Sequence, residues 1–91
     1  MSTLFDRIIL KGGGDMKETH YEQHRRLGLK IAYYRKLKGL TQEELSEEIG
    51  KSTAFIGAVE APNVKRTVSL DTLFDIAKVL DVPAYKFFSE D

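Results

Sequence analysis

Two groups of residues in this chain have the side chains and spacing for metal or acid–base chemistry. His20 and His24 stand four residues apart, which is compatible with metal binding when both lie on one helix. Tyr21 follows His20, so this is not the His-Glu-x-x-His zinc motif, and no third ligand is evident. The four glutamates between Glu43 and Glu48 are interpreted as a solvated helix surface, favoured near the helix start by the dipole. We therefore expect no metal, no cofactor and no enzymatic activity.

The third group of chemically active residues is basic. Six basic residues and no acid lie between Arg25 and Lys38, and a looser set comprises Lys51, Lys65 and Arg66. The net charge is nevertheless zero, from 14 basic and 14 acidic side chains. A nucleic-acid-binding protein is more often basic overall. A dipolar domain can still present one positive face to a phosphate backbone, so the distribution keeps that function open.

Composition limits the chain to a small class of proteins. Its 91 residues, 42% of them hydrophobic, are enough for one small domain with a core. The absence of cysteine excludes disulfides, thiol catalysis and zinc fingers. No apolar run approaches the length of a membrane span and no signal peptide is recognisable. We expect a cytoplasmic protein with no membrane association.

The elements that must position these side chains are helices throughout. Apolar residues recur at three- and four-residue spacing from about Lys17 to Lys38, and Gly39 is expected to end this first helix. The second helix is predicted to begin after Thr41, which forms a capping box with Glu44. Gly50 is predicted to end the second helix, and Ser52 to cap the third, which Pro62 stops near Glu60. Ser69 is predicted to cap a fourth helix, and Pro83 to open a short fifth.

Residues 1–15 do not follow this helical pattern. They are interpreted as an N-terminal arm or linker that ends in a glycine run, with the domain proper spanning residues 16–91. A lysine followed by glycines is encoded by a purine-rich stretch similar to a bacterial ribosome-binding sequence. The alternative is therefore that translation begins at Met16.

The joint spacing of these residues resembles the Cro/C1-type helix-turn-helix family, also called the XRE family. The resemblance runs from about Leu27 to Phe88. It is carried by Leu27-Gly28, Ile31, Tyr34-Arg35, Lys38-Gly39-Leu40-Thr41-Gln42-Glu43-Glu44-Leu45, Ile49-Gly50, Ser52, Ile56, Val59-Glu60, Thr72-Leu73, Ile76-Ala77 and Leu80.

The resemblance implies an all-α fold, a compact five-helix lambda-repressor-like bundle with its helix-turn-helix at helices 2 and 3. It implies that Gln42 contacts a DNA phosphate at the start of helix 2. It also implies a structural ion pair between Arg35 and Glu60. In this family the loop after helix 3 contacts the phosphate backbone, and the corresponding residues here are Asn63, Lys65 and Arg66.

The outward face of the predicted recognition helix, about residues 52–60, departs from the family. If Phe55, Ile56 and Val59 are buried, the outward positions are Thr53, Ala54, Gly57 and Ala58, with polar reach only from Thr53, Ser52 and Lys51. Three accounts remain open. DNA is read through Thr53, methyl contacts from Ala54 and shape; specificity comes from the loop and basic segment; or the face packs on a protein.

The C-terminal aromatic residues Tyr85, Phe87 and Phe88 either close the core or join two subunits. The functional prediction is a repressor-like, sequence-specific DNA-binding regulator of transcription. We expect a homodimer on a palindromic operator of double-stranded DNA, with no small-molecule effector domain. The alternative is a protein-interaction or antitoxin-like module that uses the same fold with weak or no specific DNA binding.

Overall fold

Four α-helices and one 3₁₀ helix make up the computed structural model of the chain, which describes residues 20–64 and 66–89. They are α1 (Tyr21–Lys38), α2 (Gln42–Ile49), α3 (Thr53–Glu60), α4 (Leu70–Leu80) and the 3₁₀ helix Ala84–Phe87. No strand occurs in the described ranges. The prediction of an all-α fold is confirmed. The predicted boundary between residues 1–15 and the domain lies outside the described residues.

The helix ends follow the capping residues that the sequence indicated. Gly39 and Gly50 end α1 and α2 with φ values of 86° and 71°, a conformation that glycine adopts without strain. Thr41 and Glu44 form the capping box of α2, because each side chain accepts from the other residue's backbone N–H. The hydroxyls of Ser52 and Ser69 likewise accept from Phe55 and Thr72. Short helices therefore begin and end at defined residues.

The core is built from one apolar side of each helix. Its most deeply buried aliphatic side chains are Ile31 from α1, Leu45 from α2, Ile56 from α3, and Leu73 and Ile76 from α4. Phe87 of the 3₁₀ helix closes the cluster and makes an edge-to-face contact with Tyr34, with ring centroids 5.4 Å apart. Burial of this set fixes how α2 and α3 sit on the rest of the domain.

The close approach of α1 to α3 depends on Gly28. A Cβ atom at this position would lie 2.1 Å from the carbonyl oxygen of Val59. No side chain fits that distance, so the backbone of α3 packs directly on α1. This contact sets the orientation of α3 relative to the bundle.

Two structural expectations need correction. The predicted fifth helix is a four-residue 3₁₀ helix that follows Pro83, since the N–H of Lys86 bonds to the Pro83 carbonyl with i→i+3 geometry. Phe55 is half-buried, whereas the sequence predicted it on the buried face of α3 with Ile56 and Val59.

None of the helices within the described ranges is long and apolar enough to cross a lipid bilayer.

Candidate nucleic-acid interface

Helix α3 exposes the part of its surface that begins at its N-terminus. Thr53 and Ala54 are exposed, and Gly57 and Ala58 are half-buried, whereas Ile56 and Val59 are buried on the opposite side. This is the outward face expected from a rotation of about 100° per residue. The turn at Gly50 and Lys51 holds α3 next to α2, so the face is part of a rigid two-helix unit.

Hydrogen bonds set the chemical character of the two hydroxyls at the start of α3. The Ser46 hydroxyl donates to the carbonyl oxygen of Glu43 (2.7 Å) and lies 3.3 Å from the Thr53 hydroxyl. Because Ser46 has only one hydroxyl hydrogen, Thr53 donates to Ser46 and keeps its lone pairs available. Ser52 is the reverse case, since its oxygen accepts from the Phe55 N–H (3.0 Å) and its hydrogen stays available. The start of α3 thus presents one acceptor and one donor.

A buried ion pair joins α1 to α3 at the other end of the recognition helix. Arg35 Nε donates to Glu60 Oε2 (2.7 Å) and Arg35 Nη2 donates to Glu60 Oε1 (2.9 Å). Arg35 Nη1 also donates to the Leu40 carbonyl (2.6 Å), so its planar fork is fully oriented. The structure therefore brings together the two residues that the resemblance paired.

Gln42, at the first position of α2, belongs to the same network. Its Nε2 donates to Glu60 Oε1 (2.9 Å), which fixes the side-chain amide over the end of α3. The capping box uses the N–H groups of Thr41 and Glu44, leaving those of Gln42 and Glu43 among the orphan donors of a helix start. Gln42 is thus half-buried and oriented beside a site suited to an anion.

The space around Gly57 would accommodate a larger residue. Outside the backbone of α3 and the adjacent residues, a Cβ at this position would meet one atom within 4 Å among the described residues, Gln42 Oε1 at 3.5 Å, an ordinary van der Waals contact. Packing of the described residues therefore does not demand glycine at this position, in contrast with Gly28. The open space lies on the outward face of α3.

Two cations and a loop flank the start of α3. Lys51 Nζ and Arg66 Cζ lie 5.6 Å and 5.5 Å from the ring centroid of Phe55. Asn63 is exposed in the loop after α3, and the Tyr21 hydroxyl anchors that loop by donating to the Pro62 carbonyl (2.5 Å). Lys65 lies outside the described residues. Of the three loop residues predicted to contact DNA, the structure therefore describes Asn63 and Arg66 but not Lys65.

Much of the basic run in α1 is compensated by nearby carboxylates. Glu22 accepts hydrogen bonds from Arg25 and lies 3.9 Å from Arg26 Nε, while Arg35 is paired with Glu60. The hydrogen bond from Arg25 holds the pKa of the Glu22 carboxyl below its ordinary value. The segment that the sequence presents as uniformly basic therefore contributes less positive field than its residue count implies.

Among the described residues, no group of three potential ligands that includes His20 or His24 could hold a metal ion.

An apolar groove lies between α1 and the 3₁₀ helix. Leu29 and Tyr33 from α1 and Tyr85 and Phe88 from the C-terminal segment line it, with exposed fractions of 41%, 58%, 68% and 59%. Phe87 also borders the groove but is buried in the core cluster. Of the three C-terminal aromatic side chains, one is therefore used in folding and two remain on the surface.

The family model described as helix-turn-helix matches residues 31–87, which include all of this two-helix unit. The chain belongs to the helix-turn-helix family, in its Cro/C1-type or XRE branch. It is 31% identical over 64 residues to the HTH-type transcriptional regulator SinR of Bacillus licheniformis. That match covers 70% of this chain, which spans 57% of the relative's length.

A solved structure supports the same assignment. The restriction-modification controller protein C.AhdI from Aeromonas hydrophila is 32% identical, with a TM-score of 0.69. The match covers 76% of this chain and 97% of that one. Both relatives are named as regulators or controllers rather than enzymes.

Two features of this helix-turn-helix site were missed from the sequence. The bond between Gln42 and Glu60 joins residues on different helices, and no local pattern signals it. The contact of Phe55 with Lys51 and Arg66 was missed because Phe55 was assigned wholly to the core. The available signal was Phe55 at the start of a helix, with the basic residues Lys51 before it and Arg66 after it in the sequence.

Proposed function

We propose that this protein is a sequence-specific, DNA-binding regulator of transcription that acts in the cytoplasm by binding rather than catalysis. The observation that carries the proposal is the exposed N-terminal half of α3, held on a rigid unit by buried residues and the Arg35–Glu60 pair. Helix-turn-helix domains insert the second helix of this unit into the major groove. The relatives' names, a transcriptional regulator and a controller protein, support the same role.

Contacts to the DNA backbone are proposed for residues around the rim of the unit. The oriented amide of Gln42 and the N-terminal N–H groups of α2 are suited to one phosphate. Polar and basic side chains before and after α3 are suited to others, and the proposed set is Lys51, Asn63, Lys65 and Arg66. Such contacts position the protein and make its affinity depend on salt, but they do not read sequence.

Contacts to base edges are proposed for the start of α3. Ser52 presents a donor, which suits the acceptors of guanine, whereas Thr53 presents an acceptor, which suits the amino groups of adenine or cytosine. The Ala54 methyl group is suited to the thymine methyl group. Gly57 leaves room for the duplex to approach the helix backbone closely. Because so few side chains of α3 can contact base edges, the shape of the DNA is expected to contribute to specificity.

A homodimer on a palindromic operator completes the proposal. The groove lined by Leu29, Tyr33, Tyr85 and Phe88 brings four exposed apolar side chains together, with basic side chains such as Lys30 and Lys86 also along it. Pairing two such surfaces would bury the aromatic side chains that folding leaves exposed. A two-fold dimer presents two α3 helices to half-sites about one helical turn apart.

Selection of bound fragments from the source genome, followed by titration of the selected duplexes against salt, tests this function. We expect a palindromic consensus and an affinity that falls steeply as salt rises. Salt-sensitive binding without any consensus would remove the claim of sequence specificity. Failure to retain DNA at low salt would contradict the proposal.

A second function, as a protein-interaction or antitoxin-like module, is favoured by one observation. The surface of α3 from Thr53 to Ala58 is almost bare of hydrogen-bonding groups, and the net charge is zero. A small, flat face suits a protein partner as well as a groove. The absorbance ratio at 260 and 280 nm of the purified protein separates the two functions, because co-purifying nucleic acid raises it.

A further inference from the structure

The Phe55 ring lies between two chain segments that carry positive charge. Lys51 comes from the turn before α3, and Arg66 comes from the loop after it. Both cationic groups lie within 6 Å of the ring centroid, the range in which a cation is attracted to an aromatic ring. Their mutual separation cannot exceed twice the longer of those distances. One aromatic side chain therefore contacts both cationic groups, which lie no more than about 11 Å apart.

These two cations keep their charge available. Within residues 20–64 and 66–89, neither Lys51 nor Arg66 has a carboxylate within 4 Å. By contrast, Arg35 is paired with Glu60, and Arg25 with Glu22. An aromatic ring attracts a cation through its quadrupole without neutralising it. Lys51 and Arg66 are thus oriented and yet able to bind an anion.

The ring itself is held by the fold. Phe55 is half-buried on the first turn of α3, where it packs against the core cluster. Long basic side chains lose much rotamer freedom when they bind a phosphate, and prior contact with a fixed ring reduces that loss. Phe55 stands next to Thr53 and Ala54, the exposed residues at the start of the same helix.

We propose that Phe55 is a positioning residue that orients Lys51 and Arg66 to bind the phosphate backbone beside the groove that α3 enters. The inference rests on the proposed function, since it names the way in which the same interface engages the DNA backbone. Phe55 itself contacts no base in this scheme. It acts only through the two cations.

The test compares Phe55→Leu and Phe55→Tyr with the wild type. Binding to a selected duplex and to an unrelated duplex of the same length is titrated at several salt concentrations. Phe55→Leu should weaken binding to both duplexes by about three- to tenfold, because the two basic side chains are no longer oriented before they bind. The slope against salt should stay as in the wild type, since both charges remain, whereas Lys51→Gln should lower it by about 0.9. Phe55→Tyr, which keeps a ring, should bind like the wild type.

Phe74→Leu is the matched control. Phe74 is 51% exposed on α4, and no contact of its ring with a cation occurs among the described residues. The same loss of a ring there should leave binding unchanged. An equal loss of affinity in Phe74→Leu would contradict a specific role for Phe55.

A mutant cycle separates positioning from a general effect on α3. In a Lys51→Gln, Arg66→Gln background, Phe55→Leu should cause no further loss of affinity. The proposal is overturned if the loss persists in that background. Circular dichroism and the unfolding midpoint establish that each variant is folded. If Phe55→Leu does not fold, proton shifts of the wild type decide: the methylene protons beside the two cations should be shifted upfield by the ring, and ordinary values would contradict the contact.

Binding of the wild type to duplex DNA separates a wrong role for Phe55 from a wrong function of the protein. If the wild type binds duplex DNA in a salt-dependent way and Phe55→Leu binds equally well, Phe55 has no positioning role and the DNA-binding function stands. If the wild type binds no duplex at low salt, the proposed function fails, and the positioning role of Phe55 fails with it.

Discussion

Gly57 and Gly28 show that the same residue type can serve opposite purposes in one domain. Gly28 is required by the fold, because a Cβ atom there would collide with the Val59 carbonyl oxygen. Gly57 is not required by the fold, yet glycine in a helix interior destabilises it by about 1 kcal/mol relative to alanine. Its retention on the outward face of α3 fits a surface that another molecule approaches closely.

Gly57→Ala is therefore expected to raise the free energy of unfolding by up to about 1 kcal/mol while it weakens binding to the selected duplex. Denaturant unfolding and a binding titration measure the two effects on one protein preparation. Gly28→Ala is the control, and it should destabilise the fold strongly, because the colliding atom belongs to the backbone. Unchanged DNA affinity in the folded Gly57→Ala variant would exclude a close approach at this position.

Thr53 is the residue expected to carry most of the direct base reading. Replacing it with valine keeps the volume and removes the acceptor, so discrimination at one base position should fall by about 1–3 kcal/mol. Thr53→Ser keeps the hydroxyl and should retain the preference. Competition between duplexes that differ at single positions provides the measurement. A uniform loss for every sequence would show that Thr53 contributes affinity without specificity.

One carboxylate links α1, α2 and α3 by hydrogen bonds. Glu60 accepts from Arg35 and Gln42, and both Glu60 and Arg35 are buried. Glu60→Gln should lower the free energy of unfolding by roughly 3 kcal/mol, the lower end for breaking a buried pair, because the amide oxygen still accepts from Arg35. Gln42→Ala removes only the neutral partner of a charged acceptor and should have a smaller effect, about 2 kcal/mol. Chemical denaturation checks the order, and a larger effect from Gln42→Ala would contradict it.

Helices and their ends could be predicted from sequence because capping is local. Thr41 and Glu44, Ser52, Ser69 and the glycines after α1 and α2 act within one turn of their own position. The network around Glu60 and the cation contacts of Phe55 depend on side chains that only tertiary packing brings together. The short fifth helix was predicted after Pro83, but the sequence did not indicate that its four residues form a 3₁₀ helix.

The zero net charge of the domain becomes compatible with DNA binding once the charges are placed. Arg35 is paired with Glu60 inside the protein, and Arg25 and Arg26 share Glu22 on the surface. Lys51 and Arg66 beside α3 have no such partner among the described residues, so their charge stays available next to the exposed face of that helix. The sum of charges is therefore a poor guide to function in a protein whose basic residues serve two separate purposes.

The apolar groove between α1 and the 3₁₀ helix decides the oligomeric state in our proposal. Tyr85→Ser and Phe88→Ser should each shift the protein toward the monomer with little change in the stability of the fold, because both side chains are mostly exposed. Sedimentation at several protein concentrations measures the shift. Affinity for a full palindrome should fall toward that for a half-site, because the second contact is no longer intramolecular. Leu70→Ser is the control, since Leu70 is 61% exposed but lies outside the groove. A wild type that stays monomeric on and off DNA would contradict the dimer and leave α3 to read a single half-site.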